Sequence, residues 1–200
     1  MTITVRRATE ADINAAASVL ANAFHGYPFL LWTVAADRHV ERIAGLQRLA
    51  LERLTIPYGE CWLALDGETI VAVAAWMPPA FELPASVAED MAALRAELEG
   101  DRHEHSLAAG LVTEHLRPPG PAYYLGTVGT LTSRQGEGIG RAVLAPVLDR
   151  LDGEHAAAYL ETSTANNVAF YERLGFAVTA HATIPGGPDT RVMLRTPINS

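Results

Sequence analysis

The chain has 200 residues, of which 15 are basic and 23 acidic, for a formal charge of −8, and its 49% hydrophobic and 19% charged content excludes a disordered chain. All 15 basic residues are arginine, so a Walker A phosphate loop, a pyridoxal-phosphate Schiff base and a lysine general base are ruled out. A lone cysteine, Cys61, excludes an intrachain disulfide, a cysteine zinc cluster and an iron–sulfur centre.

Net acidity argues against nucleic acid as a partner. No apolar run reaches the roughly 20 residues of a membrane span, and no apolar core follows the N-terminal Arg6-Arg7 pair as a signal peptide requires. The expectation is one cytoplasmic domain over residues 1–200, with no membrane partner.

In chain order, Thr2 to Arg6 alternates as an edge strand. Thr9-Glu-Ala-Asp12 forms a capping box ahead of a helix whose apolar face is Ile13, Ala17, Leu20 and Phe24. His25-Gly-Tyr27-Pro28 ends it, and a second helix is predicted over 37–54. Cys61–Leu65 and Thr69–Trp76 read as a hairpin turned at Asp66-Gly67. Residues 84–116 read as a helical insertion, capped at Ser86, with Val87, Met91, Leu94 and Leu98 as a core stripe and a second helix from Ser106 to Leu116. Tyr123 to Leu131 is strand-like. Arg134-Gln-Gly-Glu-Gly-Ile-Gly140 then leads into a helix with Ile139, Val143, Val147 and Leu151 on one face and Pro146 inside it. A strand over 157–161, a helix over 168–174 ended by Gly175, and a hairpin of 176–184 with 190–195 complete an α/β chain.

The glycine segment is the informative one. Glycines at 136, 138 and 140 leave consecutive backbone N–H groups unobstructed, and the following helix adds its free amides and the positive end of its dipole. An acidic chain can thus cradle an anion with oriented amides, helped locally by Arg134 and Arg141. A dinucleotide fingerprint would need glycine at 141 or 143, where Arg141 and Val143 stand, and would follow the first strand. A plain turn and a coenzyme A pyrophosphate loop remain.

Gln135-x-x-Gly138-x-Gly140 resembles the acetyl-CoA loop of the GNAT superfamily of N-acetyltransferases, and Asn167-Val-Ala-Phe-Tyr171-Glu-Arg-Leu-Gly175-Phe176 resembles that superfamily's N-x-x-F-Y-x-x-x-G-F segment. The likeness extends to the puromycin-acetylating branch, through Ala23-Phe24, Tyr27-Pro28, Asp37-Arg38-His39, Glu41-Arg42, Thr127-Val128-Gly129, Leu160 to Ser163 and Pro185-x-Gly187-Pro188. Thr130 and Thr132 depart from that branch, as do Phe29 to Trp32 and residues 80–116. The resemblance implies a twisted, mostly antiparallel mixed sheet flanked by helices.

It also implies acetyl-CoA as acetyl donor, bound by Val128, Gly129, Thr130, Gln135, Gly136, Glu137, Gly138, Ile139, Gly140, Arg141, Asn167 and Tyr171. The acceptor it implies is a primary amine of a small molecule, with a puromycin-like aminonucleoside as one candidate. Val128 and Thr130 would pair their backbones with pantetheine. Tyr171 is either a core aromatic or the general acid for the leaving thiolate, and Tyr27 either a packed turn residue or part of a proton relay. Asn167 holds pantetheine or caps its helix, and Glu161 is a base or a structural acceptor. Direct transfer is expected, because Cys61 lies away from the loop. A protein N-terminal or lysine acetyltransferase and a non-catalytic acetyl-CoA-binding regulator are the alternatives.

No metal is expected, since the only close histidine pair, His103 and His105, lies in a segment read as solvated and does not share a helical face. Trp32, Trp62 and Trp76 read as core or as aromatic pocket. The oligomeric state reads as monomer or homodimer.

Overall fold

The computed structural model describes residues 2–197. Strands β1 (Ile3–Arg7), β2 (Glu60–Asp66), β3 (Thr69–Met77), β4 (Ala122–Thr130), β5 (Ala157–Thr162), β6 (Ala177–Ala182) and β7 (Thr190–Arg195) form one sheet in the order β1-β2-β3-β4-β5-β7-β6. Every neighbouring pair is antiparallel except β4 with β5. The helices are α1 (Ile13–Ala23), α2 (Pro28–Thr33), α3 (His39–Ala50), α4 (Ile56–Tyr58), α5 (Ala85–Glu99), α6 (His103–Glu114), α7 (Ile139–Glu154) and α8 (Ala165–Glu172).

Central strand β3 is apolar and buried from Ile70 to Met77, as suits a strand with both faces covered. Ala72, Ala74 and Trp76 meet α7, which buries Ile139, Val143, Leu144, Val147, Leu148 and Leu151. Val73 and Ala75 meet α1 through Ala16, Ala17 and Leu20. Fully burying one such leucine or valine stabilises by roughly 1.5–3 kcal/mol, so α7 is the helix that fixes this face. Trp62 and Trp76 belong to the same core.

Several expectations are corrected. Pro28 opens a helix, α2, which was not foreseen; proline is preorganised for a first helical position. The predicted 37–54 helix starts later, after Arg38 in a left-handed conformation (φ 47°), and its end widens into a π turn at Leu51–Thr55 just before Pro57, which has no N–H to continue the ladder. Ser86 caps nothing: Pro84 precedes α5. The apolar stripe of α5 is not core, since Leu94 is exposed and the buried residue of the helix is Glu99. Nor are His103 and His105 merely solvated. His103 lies 2.7 Å from Glu99, while His105 stacks on Trp32 at 4.6 Å and bonds its carbonyl.

The feature that positions the site is a parting of strands. β4 and β5 pair only at Ala122↔Ala157, Tyr123↔Ala158 and Tyr124↔Tyr159. Beyond Tyr124 they diverge, and the β3–β4 register shifts because Leu125 and Thr127 pair with consecutive residues, leaving Gly126 as the extra residue of a bulge.

Candidate active site

The parting leaves one edge of β4 open. Leu131 donates its N–H to the Val71 carbonyl, so by the alternation of an antiparallel ladder Gly129 also faces β3, while Val128 and Thr130 turn their backbone groups to the cleft. The Thr130 carbonyl already accepts from Gln135 Nε2 at 3.2 Å. Gly129 has a packing reason of its own: a Cβ there would sit 2.7 Å from Cβ of Ala23, so glycine is what lets α1 cross the strand.

At the end of β4 the loop turns through Gly136 (φ 83°) and Gly138 (φ 81°), conformations that favour glycine, into the first turn of α7. A Cβ at either position would meet nothing within 4 Å. Among the described residues the amides of 135–141 donate to no other protein group, since the ladder begins at Ala142 N–H to Gly138 O. Free amides around open space are the geometry that an anion cradle requires. Arg134 is not free to assist, because Glu137 (3.0 Å) and Asp66 (3.1 Å) hold it. Glu137 is turned to that arginine and is absent from the groove lining, unlike the other predicted cofactor-binding residues, all of which line a groove of about 670 Å³. Arg141 is exposed at its rim.

On the other side of the parted strands lies a second cavity of about 360 Å³. Its walls are Phe24, Tyr27, Phe29 and Leu30 from α1, α2 and their link, Leu46 and Ala50 from α3, Met91, Arg95 and Glu99 from α5, and the open edges of β4 and β5. The two cavities meet at Phe24, Tyr27, Val128, Asn167 and Tyr171, which line both.

Tyr171 is 7% exposed, wedged edge-on between Phe170 and Phe176. Burial pushes its phenol above the ordinary tyrosine value, and nearby Tyr27 raises it further, so its proton stays on through neutral pH. Tyr27 is fixed from β5: its hydroxyl accepts from Ser163 N–H at 2.8 Å and lies 3.3 Å from Thr162 Oγ1. Thr162 Oγ1 in turn accepts from Asn167 Nδ2 at 3.1 Å. Asn167 is therefore not the helix cap. That place is taken by Thr164, whose side chain accepts the Asn167 amide N–H, freeing the carboxamide to reach the junction.

Cys61 is buried under α1, and burial pushes its thiol up to about 12, so it offers no thiolate at neutral pH. Sequence reasoning placed Phe24 and Met91 on apolar helix faces and gave none of Phe24, Thr162, Ser163, Met91 or Glu99 a place in the site. The first three lie in stretches that the resemblance already covered; Met91 and Glu99 had no motif to mark them. Among the described residues no group of three or more His, Cys, Asp or Glu is placed to hold a metal, and no helix is long and apolar enough to cross a membrane.

A helix-flanked mixed sheet with parted central strands, free loop amides and two adjoining cavities at the parting is a typical GNAT fold. The chain belongs to the acetyltransferase (GNAT) family, whose model matches residues 27–176. It is similar to the crystal structure of a histone acetyltransferase HPA2 and related acetyltransferase from Corynebacterium glutamicum, at 27% identity and TM-score 0.76, over 100% of this chain and 99% of that one. Two further structures share the fold. These are a ribosomal-protein-S18-alanine N-acetyltransferase from Escherichia coli (16% identity, TM-score 0.58, 100% and 97% covered) and a polyamine N-acetyltransferase from Drosophila melanogaster (16%, TM-score 0.60, 98% and 100% covered). The family uses acetyl-CoA, and the open glycines and unpaired amides of 135–141 fit its pyrophosphate.

Proposed function

We propose that the chain is an acetyl-CoA-dependent N-acetyltransferase whose acceptor is a primary amine of a small molecule. The observation that carries this is the junction: the groove and the second cavity meet at the parted strands and share Phe24, Tyr27, Val128, Asn167 and Tyr171. Acetyl-CoA supplies the thioester and the leaving sulfur. The amides of 136–141 hold its diphosphate, and the cleft-facing backbone of Val128 and Thr130 steadies its pantetheine arm. Tyr171, kept protonated by burial, donates to the departing sulfur. Tyr27, with Thr162 behind it, passes on the proton that the amine loses. Transfer is direct, since the Cys61 thiol is neutral and lies under α1, outside both cavities.

The α5 wall supports a small acceptor over a protein terminus or lysine, because Met91, Arg95 and Glu99 add a third helix to the lining of the cavity. The finer candidate, a puromycin-like aminonucleoside, has the aromatic lining of Phe24, Phe29 and Tyr124 in its favour. Thiol release from acetyl-CoA across a panel of amines headed by puromycin tests both levels. Turnover with small amines and none with peptides is expected. Turnover with peptides alone rejects the small acceptor, and binding without any turnover leaves a regulator.

A further inference from the structure

The cavity holds a charge that acetyl transfer, as derived above, does not use. Ala158 and Leu160 of β5 point into the core beneath α7, so the alternation of the strand sends Tyr159 and Glu161 to the opposite face, where the cavity lies. Three charged side chains line that cavity: Arg95, Glu99 and Glu161. Arg95 and Glu99 satisfy each other at 2.7 Å, and Glu99 also takes Ser106 at 2.6 Å and His103 at 2.7 Å.

Glu161 has no such partner: among the described residues it makes no hydrogen bond or ion pair, and the cation that acts on it, exposed Arg117, does so only from a distance. Burial accordingly pushes its carboxyl above the ordinary range. Around it, Tyr124 stacks on Tyr159 at 4.8 Å, and Thr127 Oγ1 is buried without a partner. A desolvated carboxylate among phenol rings favours a cation, which gains both ion pairing and the ring faces.

Spacing narrows the ligand. Tyr27 is held by the amide of Ser163, two residues beyond Glu161, a backbone rise on the order of 7 Å along the strand. A second nitrogen a short spacer away from the reacting one spans such an interval.

Within the small-amine reading, on which this inference rests, we propose that Glu161 anchors a second cationic nitrogen of the acceptor, so that the preferred substrates are amines carrying another positive charge across a short apolar spacer. A puromycin-like aminonucleoside meets the aromatic half of this cavity and not its charged half.

The test compares 1,5-diaminopentane with n-pentylamine, which differ in the terminal ammonium. The wild-type kcat/KM should favour the diamine by about 10- to 100-fold, and Glu161→Gln should reduce that preference to about threefold or less. Glu161→Asp, which keeps the charge, should retain part of it, with thermal melts checking that both variants fold. An unchanged preference in Glu161→Gln overturns the proposal. So does an equal fall in kcat for both amines with loss of the acidic limb of the pH profile, which would make Glu161 a general base. Calorimetric binding of the two amines to the protein without acetyl-CoA is a readout independent of transfer. Equal affinities overturn the anchor, whereas a Glu161-dependent preference without any transfer upholds the anchor and overturns the acetyltransferase reading.

Discussion

Tyr171 combines two properties that pull in opposite directions elsewhere in proteins: it is packed like a core aromatic, yet it lines both cavities. The two sequence readings of this residue are therefore compatible in space, since burial is what keeps the phenol protonated. Tyr171→Phe preserves the packing and removes only the proton donor, so kcat should fall about 10²- to 10⁴-fold with little change in the KM for acetyl-CoA. Stopped or steady-state thiol release measures this directly. Cys61 gives a pH prediction. Its folded value of about 12 exceeds the ordinary thiol value of about 9, so its contribution to stability is complete below pH 9 and is lost as pH rises toward 12. Urea melts at pH 8 and pH 11 should show a steeper loss for wild type than for Cys61→Ala, and Cys61→Ala should keep acetyl transfer if no acetyl-enzyme forms. Tyr171 and Asn167 were legible because they sit in a spaced motif. Glu161 was legible as a base or a structural acceptor, but not as a carboxylate without a partner, since the absence of a neighbour is something no sequence records.

At the scale of elements, the glycine loop was readable because backbone conformation and residue type are tied so closely there. Of the two glycines of β4, Gly126 serves the bulge that a glycine inside a strand permits, whereas Gly129 serves the passage of α1, which the strand pattern does not announce. The difference can be measured with two alanines. Gly138→Ala meets no protein atom but must hold a left-handed φ and intrudes on the cradle, so it should cost about 1–2 kcal/mol of stability and raise the acetyl-CoA KM about tenfold or more. Gly129→Ala strikes α1 instead, and should cost about 1–3 kcal/mol with its effect on denaturant midpoint larger than on KM. The insertion α5–α6 was placed correctly as helical, but its role was misread. The apolar residues of α5 do not fill a core, whereas Ala109 of α6 packs on Ala182 and Ile184; Glu99 ties the two helices together, and its carbonyl accepts from Ala35 ahead of α3. A buried carboxylate as the anchor of a helix pair contradicts the usual reading of polarity, which is why the pattern misled.

For the molecule as a whole, the sheet order and the parting of β4 from β5 arrange two chambers that touch at a handful of side chains. The mixed α/β class followed from the order of elements and motifs, whereas the second chamber depends on α2 and α5, whose seats are set by tertiary contacts over more than 50 residues, such as Arg42 on the carbonyls of Glu97 and Leu98. The central claim is that one chamber takes acetyl-CoA and delivers its sulfur to the phenol of Tyr171. A crystal structure with coenzyme A bound tests it most directly. The account predicts diphosphate oxygens within hydrogen-bonding distance of the amides of residues 136–141 and the sulfur between Val128 and Tyr171; a diphosphate seated elsewhere, or a sulfur remote from Tyr171, would contradict it.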